Sequence, residues 1–131
     1  MQPITPLRPG AIYHIYNRGN NREPLFRDDW SYRLFLKLMF KHLGPVARIY
    51  AYCLLGNHFH ILVYIIGSPD DEQAQRRATR AFANFFNAYA QSFNRAYGRT
   101  GKLFEEHFER REVTTADYFA RLIVYIHTNP Q

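Results

Sequence analysis

The spacing of apolar residues along this chain switches between a period of two and a period of about 3.6, and the switches divide it into seven elements. Ala11, Ile12, Tyr13, His14, Ile15 and Tyr16 are almost all β-branched or aromatic and predict a strand. Asn17, Arg18, Gly19, Asn20, Asn21 and Arg22 then read as a loop, dense in residues that accept left-handed backbone. Asp28 or Asp29 is placed to cap a helix over 30–42, where Leu34, Phe35, Leu38 and Met39 recur at helical spacing before Gly44 and Pro45 stop it. Residues 46–55 and 58–66 read as two strands flanking a tight turn at Gly56-Asn57. A long helix over 71–97 buries Phe82, Phe86, Tyr89 and Phe93, and carries Arg76, Arg80, Asn84, Asn87, Gln91 and Arg95 together on another side. After the break at residues 98–101, residues 104–113 predict a further strand. Thr114 with Asp117 resembles a capping box for a last helix reaching residue 128.

The order β-α-β-β-α-β-α predicts an α+β domain. Its first six elements match the ferredoxin-like split βαβ arrangement, an antiparallel sheet with helices on one face, to which a C-terminal helix is added. That fold hosts many functions, so chemistry has to be sought in particular residues. No repeat, low-complexity tract or linker divides residues 1–131, which are expected to form a single domain.

Composition sharpens this. With 47% apolar and 17% aromatic residues, disorder is excluded. One cysteine cannot make an internal disulfide, no signal-peptide core opens the chain, and the longest apolar run, 61–66, is far too short to span a bilayer; together these predict a soluble cytoplasmic domain with no membrane partner. A formal charge of +6 and a pI near 9.7 favour a polyanionic partner, nucleic acid first and an anionic membrane second. Of the 17 cations only Lys37, Lys41 and Lys102 are lysines, leaving 14 arginines, whose planar forks suit phosphates and bases. A genomic bias toward arginine codons would produce the same excess.

Four constellations could carry chemistry. In Asn57-His58-Phe59-His60, the alternation of Phe59, Ile61 and Val63 with His58, His60 and Leu62 is a strand pattern, so both imidazoles project from one face as two ligands of one cation need. His-x-His alone equally fits two polar residues on a solvated face. Tyr125 and Asn129, four apart on the last helix, share a side; by themselves they fit a boundary tyrosine and a helix-ending asparagine better than a site. His127 lies well around that helix from Tyr125 and suits packing or capping, and no general base for the tyrosine is identified. The loop Asn17-Arg18-Gly19-Asn20-Asn21-Arg22, with Arg27 beyond it, is suited to phosphates and base edges. Arg95, Arg99, Lys102, Arg110 and Arg111 form another basic group, but Glu105, Glu106, Glu109 and Glu112 interleave with it and would neutralise it as readily. Cys53, inside an apolar strand, reads as a buried small residue.

Four blocks of the chain, in order, resemble the single-tyrosine HUH transposases (His, hydrophobic, His), in particular the REP-associated tyrosine transposases. They are Tyr13-His14-Ile15-Tyr16-Asn17-Arg18-Gly19-Asn20-Asn21-Arg22, Tyr52-Cys53-Leu54-Leu55-Gly56-Asn57-His58-Phe59-His60, the stretch 93–104, and Tyr125-Ile126-His127-Thr128-Asn129-Pro130. The resemblance implies a single-stranded DNA endonuclease and strand transferase that cuts beside hairpins. Tyr125 would be the nucleophile forming a 5′-phosphotyrosine, and His58, His60 and Asn129 the ligands of a divalent Mg²⁺ or Mn²⁺. Asn17, Arg18, Asn20, Asn21, Arg22, Arg27, Arg76, Arg80, Arg95 and Arg99 are the expected DNA contacts. Hairpin-bearing single-stranded DNA is the expected partner, in a bacterial cytoplasm at the nucleoid, with the protein a monomer or a homodimer. Relatives often carry Met-Pro where Leu55-Gly56 stand and often continue past the Asn-Pro at which this chain almost ends, which raises a C-terminal truncation. The alternatives of other classes are a catalytically inactive binder of structured nucleic acid and a hydrolase of small phosphoesters.

Overall fold

The computed structural model describes residues 6–128. In chain order the elements are β1 (Ile12–Arg18), a 3₁₀ turn (Asn20–Arg22), α1 (Asp29–Leu43), β2 (Ala47–Leu55), β3 (His58–Ile65), α2 (Glu72–Ala96), β4 (Glu109–Glu112) and α3 (Ala116–His127). The four strands form one antiparallel sheet in the order β2-β3-β1-β4, the ferredoxin-like order expected.

Strand alternation gives the sheet two different faces. Tyr13 and Ile15 of β1 and Phe59, Ile61, Val63 and Ile65 of β3 point one way, into the main core with Phe35, Met39 and Leu43 of α1 and Phe82, Phe85, Tyr89 and Phe93 of α2. On the other face Ala51 and Cys53 of β2 and Leu62 of β3 meet Leu122 and Ile126 of α3, with Val113 closing this smaller cluster. The C-terminal helix thus lies across the sheet from α1 and α2. A β-bulge allows β2 to serve both cores: pairing steps from Ile49 opposite Val63 to Ala51 opposite Leu62, leaving Tyr50 as the extra residue. The bulge rephases the strand, so Ile49 faces α1 and α2 while Ala51 and Cys53 face α3.

Helix starts follow their caps. The Asp28 side chain accepts from the Ser31 backbone N–H at 3.0 Å while Ser31 Oγ accepts from the Asp28 N–H at 3.1 Å, a reciprocal box that chooses Asp28 over Asp29. Asp71 caps α2 through the Ala74 N–H. The last helix corrects the expectation: Thr115, not Thr114, accepts from the Tyr118 N–H at 3.1 Å, so Asp117 is a first-turn acid rather than the third residue of a capping box.

Two further boundaries differ. The first strand runs on through Asn17 and Arg18, which pair with Phe59 and His58, so the expected loop begins only at Gly19. The strand predicted over 104–113 is much shorter. Phe104 makes an isolated bridge to Gly19 and only β4 joins the sheet, because Phe104 and Phe108 are drawn down onto Phe86 of α2. Among the described residues no helix is long and apolar enough to cross a membrane.

Candidate active site

Register places the candidate residues on the α3 face of the sheet. His60 lies opposite Tyr16 of β1, which lies opposite Glu109 of β4, and His58 lies opposite Arg18. Tyr125 reaches over this row from α3: its ring stands at right angles to that of His60, with centroids 5.4 Å apart. The His58 and His60 rings are 5.3 Å apart and also perpendicular. These side chains, with Asn17, Arg22, Asn57 and Glu105, line an open cavity of about 620 Å³. One chain brings tyrosine, histidine pair and basic loop together. Tyr125 is half-exposed beside the cavity.

The fold occupies the Nδ1 side of both histidines. Asn57 Oδ1 is 2.9 Å from His58 Nδ1 and accepts its hydrogen, which leaves Nε2 with a lone pair. Asn57 is itself anchored, its backbone carbonyl accepting from the Gly19 N–H at 2.9 Å. His60 Nδ1 lies 2.9 Å from Nε2 of a third histidine, His14, whose ring meets it edge to edge, with centroids 5.1 Å apart and planes within 25°. Burial, then the neighbouring His58, lowers the pKa of His60 to about 4; burial, then His60 and Arg111, lowers that of His14 to about 4. His58 is lowered too, by burial and then by Arg18. All three imidazoles are therefore neutral at neutral pH, the state in which histidine binds a cation. Among the described residues no group of three or more His, Cys, Asp or Glu side chains is placed to hold a metal ion. The site offers two neutral nitrogens, and the donor chemistry fits a divalent cation whose other positions are filled by oxygen ligands from water or a phosphate. Asn129, the expected further ligand, lies outside the described residues.

The basic loop is held rigidly at the cavity edge. Gly19 lies so close to the following backbone that a Cβ there would stand 1.9 Å from the Glu23 carbonyl oxygen. The Asn20 N–H donates to the Leu103 carbonyl and the Glu105 N–H to the Arg18 carbonyl. Asn21 and Arg22 both take positive φ, 57° and 61°.

The structure sorts the expected DNA contacts into different roles. Arg18 and Arg22 are exposed at the cavity, Arg18 with Glu105 at 3.5 Å. Asn17 is buried, and its side chain ties β1 to the 105–106 segment by donating to the Glu105 carbonyl and accepting from the Arg18 N–H. Asn20 and Asn21 are in the turn itself. Arg27 lies 4.8 Å over the Tyr97 ring and 5.4 Å over Phe93, where α1 begins and α2 ends. Arg76 and Arg80 share a separate shallow surface on the first half of α2, and Arg95 is exposed near its end. Arg99 departs from expectation. Its guanidinium is inserted among the Glu23 carboxylate, Asn94 Oδ1 and the Lys102 carbonyl, and is only 14% exposed, so its donors are committed to the fold. His127 is exposed in the last turn of α3 rather than packed, and Cys53 is buried as expected.

The sequence reading missed His14, Tyr16, Asn57 and Glu109. Asn57 stood beside the motif and could have been found there; the other three come in only through strand register.

No protein-family model matches the sequence, and no curated protein does. Solved structures do. A REP-associated tyrosine transposase bound to a REP hairpin superposes with a TM-score of 0.64 at 16% identity, over 99% of this chain and 72% of that one. This chain has that transposase's fold. A candidate transposase of Deinococcus radiodurans R1 superposes with a TM-score of 0.51 at 13% identity, over 99% of this chain and 98% of the other.

Proposed function

We propose that this protein is a REP-associated tyrosine transposase: a metal-dependent enzyme that cleaves and rejoins single-stranded DNA beside hairpins, in transposition or in processing repeated elements. The observation that carries the reading is the Tyr125 ring set against His60, with His58 on the same face and Arg18 and Arg22 at the rim. A fold shared with a hairpin-bound transposase supports it.

In this reading Arg18 and Arg22 hold the DNA backbone and Tyr125 supplies the nucleophile. Its phenolic oxygen bonds to the phosphorus and the P–O3′ bond breaks. The phenolic proton leaves to solvent, the departing 3′ oxygen takes a proton from water, and the 5′ phosphate stays on the tyrosine. Phenolate is a tolerable leaving group, its conjugate acid having a pKa of about 10, so a 3′-hydroxyl reverses the step without ATP. A divalent Mg²⁺ or Mn²⁺ held by His58 Nε2, His60 Nε2 and Asn129 would neutralise charge on the non-bridging oxygens. The enzyme would act in the bacterial cytoplasm, at the nucleoid.

The test is an end-labelled hairpin oligonucleotide incubated with Mn²⁺ and run on a denaturing gel. Wild-type protein should give a denaturation-resistant adduct, and Tyr125→Phe should abolish it while retaining most binding. An undiminished adduct in that variant rejects the nucleophile. Metal-independent binding by wild type with no adduct leaves a nucleic-acid binder.

A further inference from the structure

Behind the histidine pair, on the next strand, lies a buried third histidine to which the reaction assigns nothing. His14 is 8% exposed, has its ring beside those of Tyr16 and His60, and is paired across β1 and β4 with Arg111. We propose that His14 is a positioning residue, its Nε2 accepting a hydrogen bond from His60 Nδ1–H and thereby fixing His60 in the tautomer whose Nε2 lone pair faces the cavity. The inference rests on the functional reading above, because it concerns how the cation-binding face is prepared.

A single hydrogen lies between the two rings at 2.9 Å, and it has two homes. If His14 Nε2 carried it, His60 Nδ1 would be the acceptor, and a neutral His60 would bear its own hydrogen on Nε2. An N–H would then point into the cavity beside His58, able to touch a phosphate oxygen and unable to bind a cation. If His60 Nδ1 carries it, His60 Nε2 is a donor atom like that of His58, whose tautomer is set by the Asn57 carbonyl oxygen. Only this second arrangement turns both imidazoles on one strand face to the same use. The supporting chemistry is that of outer partners of metal-binding histidines, which hold the remote ring N–H and orient the ring.

The metal-free full chain gives the first test. Long-range nitrogen–hydrogen NMR correlations of the His60 ring near neutral pH should show a protonated Nδ1 and an unprotonated Nε2. A protonated Nε2 overturns the proposal, and this reading needs no variant to fold. The second test is Mn²⁺ binding followed by electron paramagnetic resonance. His14→Phe, which keeps the ring and removes the acceptor, should weaken Mn²⁺ binding about 10–100-fold and shift His60 toward the Nε2–H form. His14→Gln, whose side-chain carbonyl can accept, should recover part of that loss. Wild-type affinity in a folded His14→Phe protein overturns the proposal. Absence of a DNA adduct in wild type would instead sink the transposase reading, while the His60 tautomer would still be read directly.

Discussion

At the scale of single residues, the cavity separates side chains that the sequence cannot tell apart. Arg22 and Arg99 are both arginines in basic stretches near glycines, yet one is exposed at the cavity and the other is packed between Glu23, Asn94 and the Lys102 carbonyl. Arg99→Ala should therefore lower stability by about 1–3 kcal/mol in a denaturant titration and leave the salt dependence of DNA binding unchanged. Arg22→Ala should do the reverse, keeping stability within about 0.5 kcal/mol and reducing the salt slope by about one. His58→Ala and His60→Ala should each weaken metal-dependent adduct formation at fixed Mn²⁺, and raising the metal concentration should restore part of it. The buried imidazoles also predict a pH response. His14 and His60 hold pKa values of about 4 in the folded protein against 6.5 as the ordinary value, so between those limits the unfolded chain binds more protons. Their contribution to stability is complete above pH 6.5 and is lost as pH falls toward 4. The thermal midpoint should fall across that window, and less steeply in His14→Phe.

At the scale of elements, α3 carries Tyr125, the proposed nucleophile, but little of the core. Leu122 and Ile126 are its buried anchors, set on Ala51, Cys53 and Leu62. Leu122→Ala should cost about 2–5 kcal/mol of that anchoring. Adduct formation should fall steeply, while Mn²⁺ binding at His58 and His60 should fall far less. The comparison of element boundaries with the sequence is instructive here. Helices announced themselves mainly through their apolar stripes: the Phe82–Phe93 face stands where the pattern placed it, Asp28 is the one of two candidate caps that is used, and Asp71, expected as the first residue of the long helix, proves to be its cap. The 104–113 segment misled because Phe104 and Phe108 look like strand residues but serve as plugs against α2. A run of aromatics does not reveal whether it pairs or packs. The bulge at Tyr50 was equally invisible, since one inserted residue leaves no mark in an apolar strand.

For the whole molecule, the ferredoxin-like order was legible because the strand-like and helix-like segments follow one another as β-α-β-β-α-β, even though the bounds of the last strand were not. The site was legible in part. His58 and His60 are neighbours in sequence and reveal themselves by spacing, whereas His14 is 46 residues from its partner and becomes visible only when β1 and β3 are in register. Tyr125 meeting His60 of its own chain also makes a statement about assembly. Tyr125→Phe and a His58→Ala, His60→Ala double variant, each inactive, should give no adduct when mixed, because neither chain holds a complete site. Recovered activity in the mixture would show that the tyrosine helix serves a second copy.

The smaller of the two cores has a kinetic consequence. A helix resting on a few side chains across the sheet from the main core should open more often than α1 and α2. Amide hydrogens of α3 should then exchange with solvent by local opening, well before those in the middle of α1 and α2 exchange through global unfolding. Tyr125, the proposed nucleophile, would then ride on the least protected of the described helices, and DNA bound across both Arg22 and Tyr125 should slow that exchange.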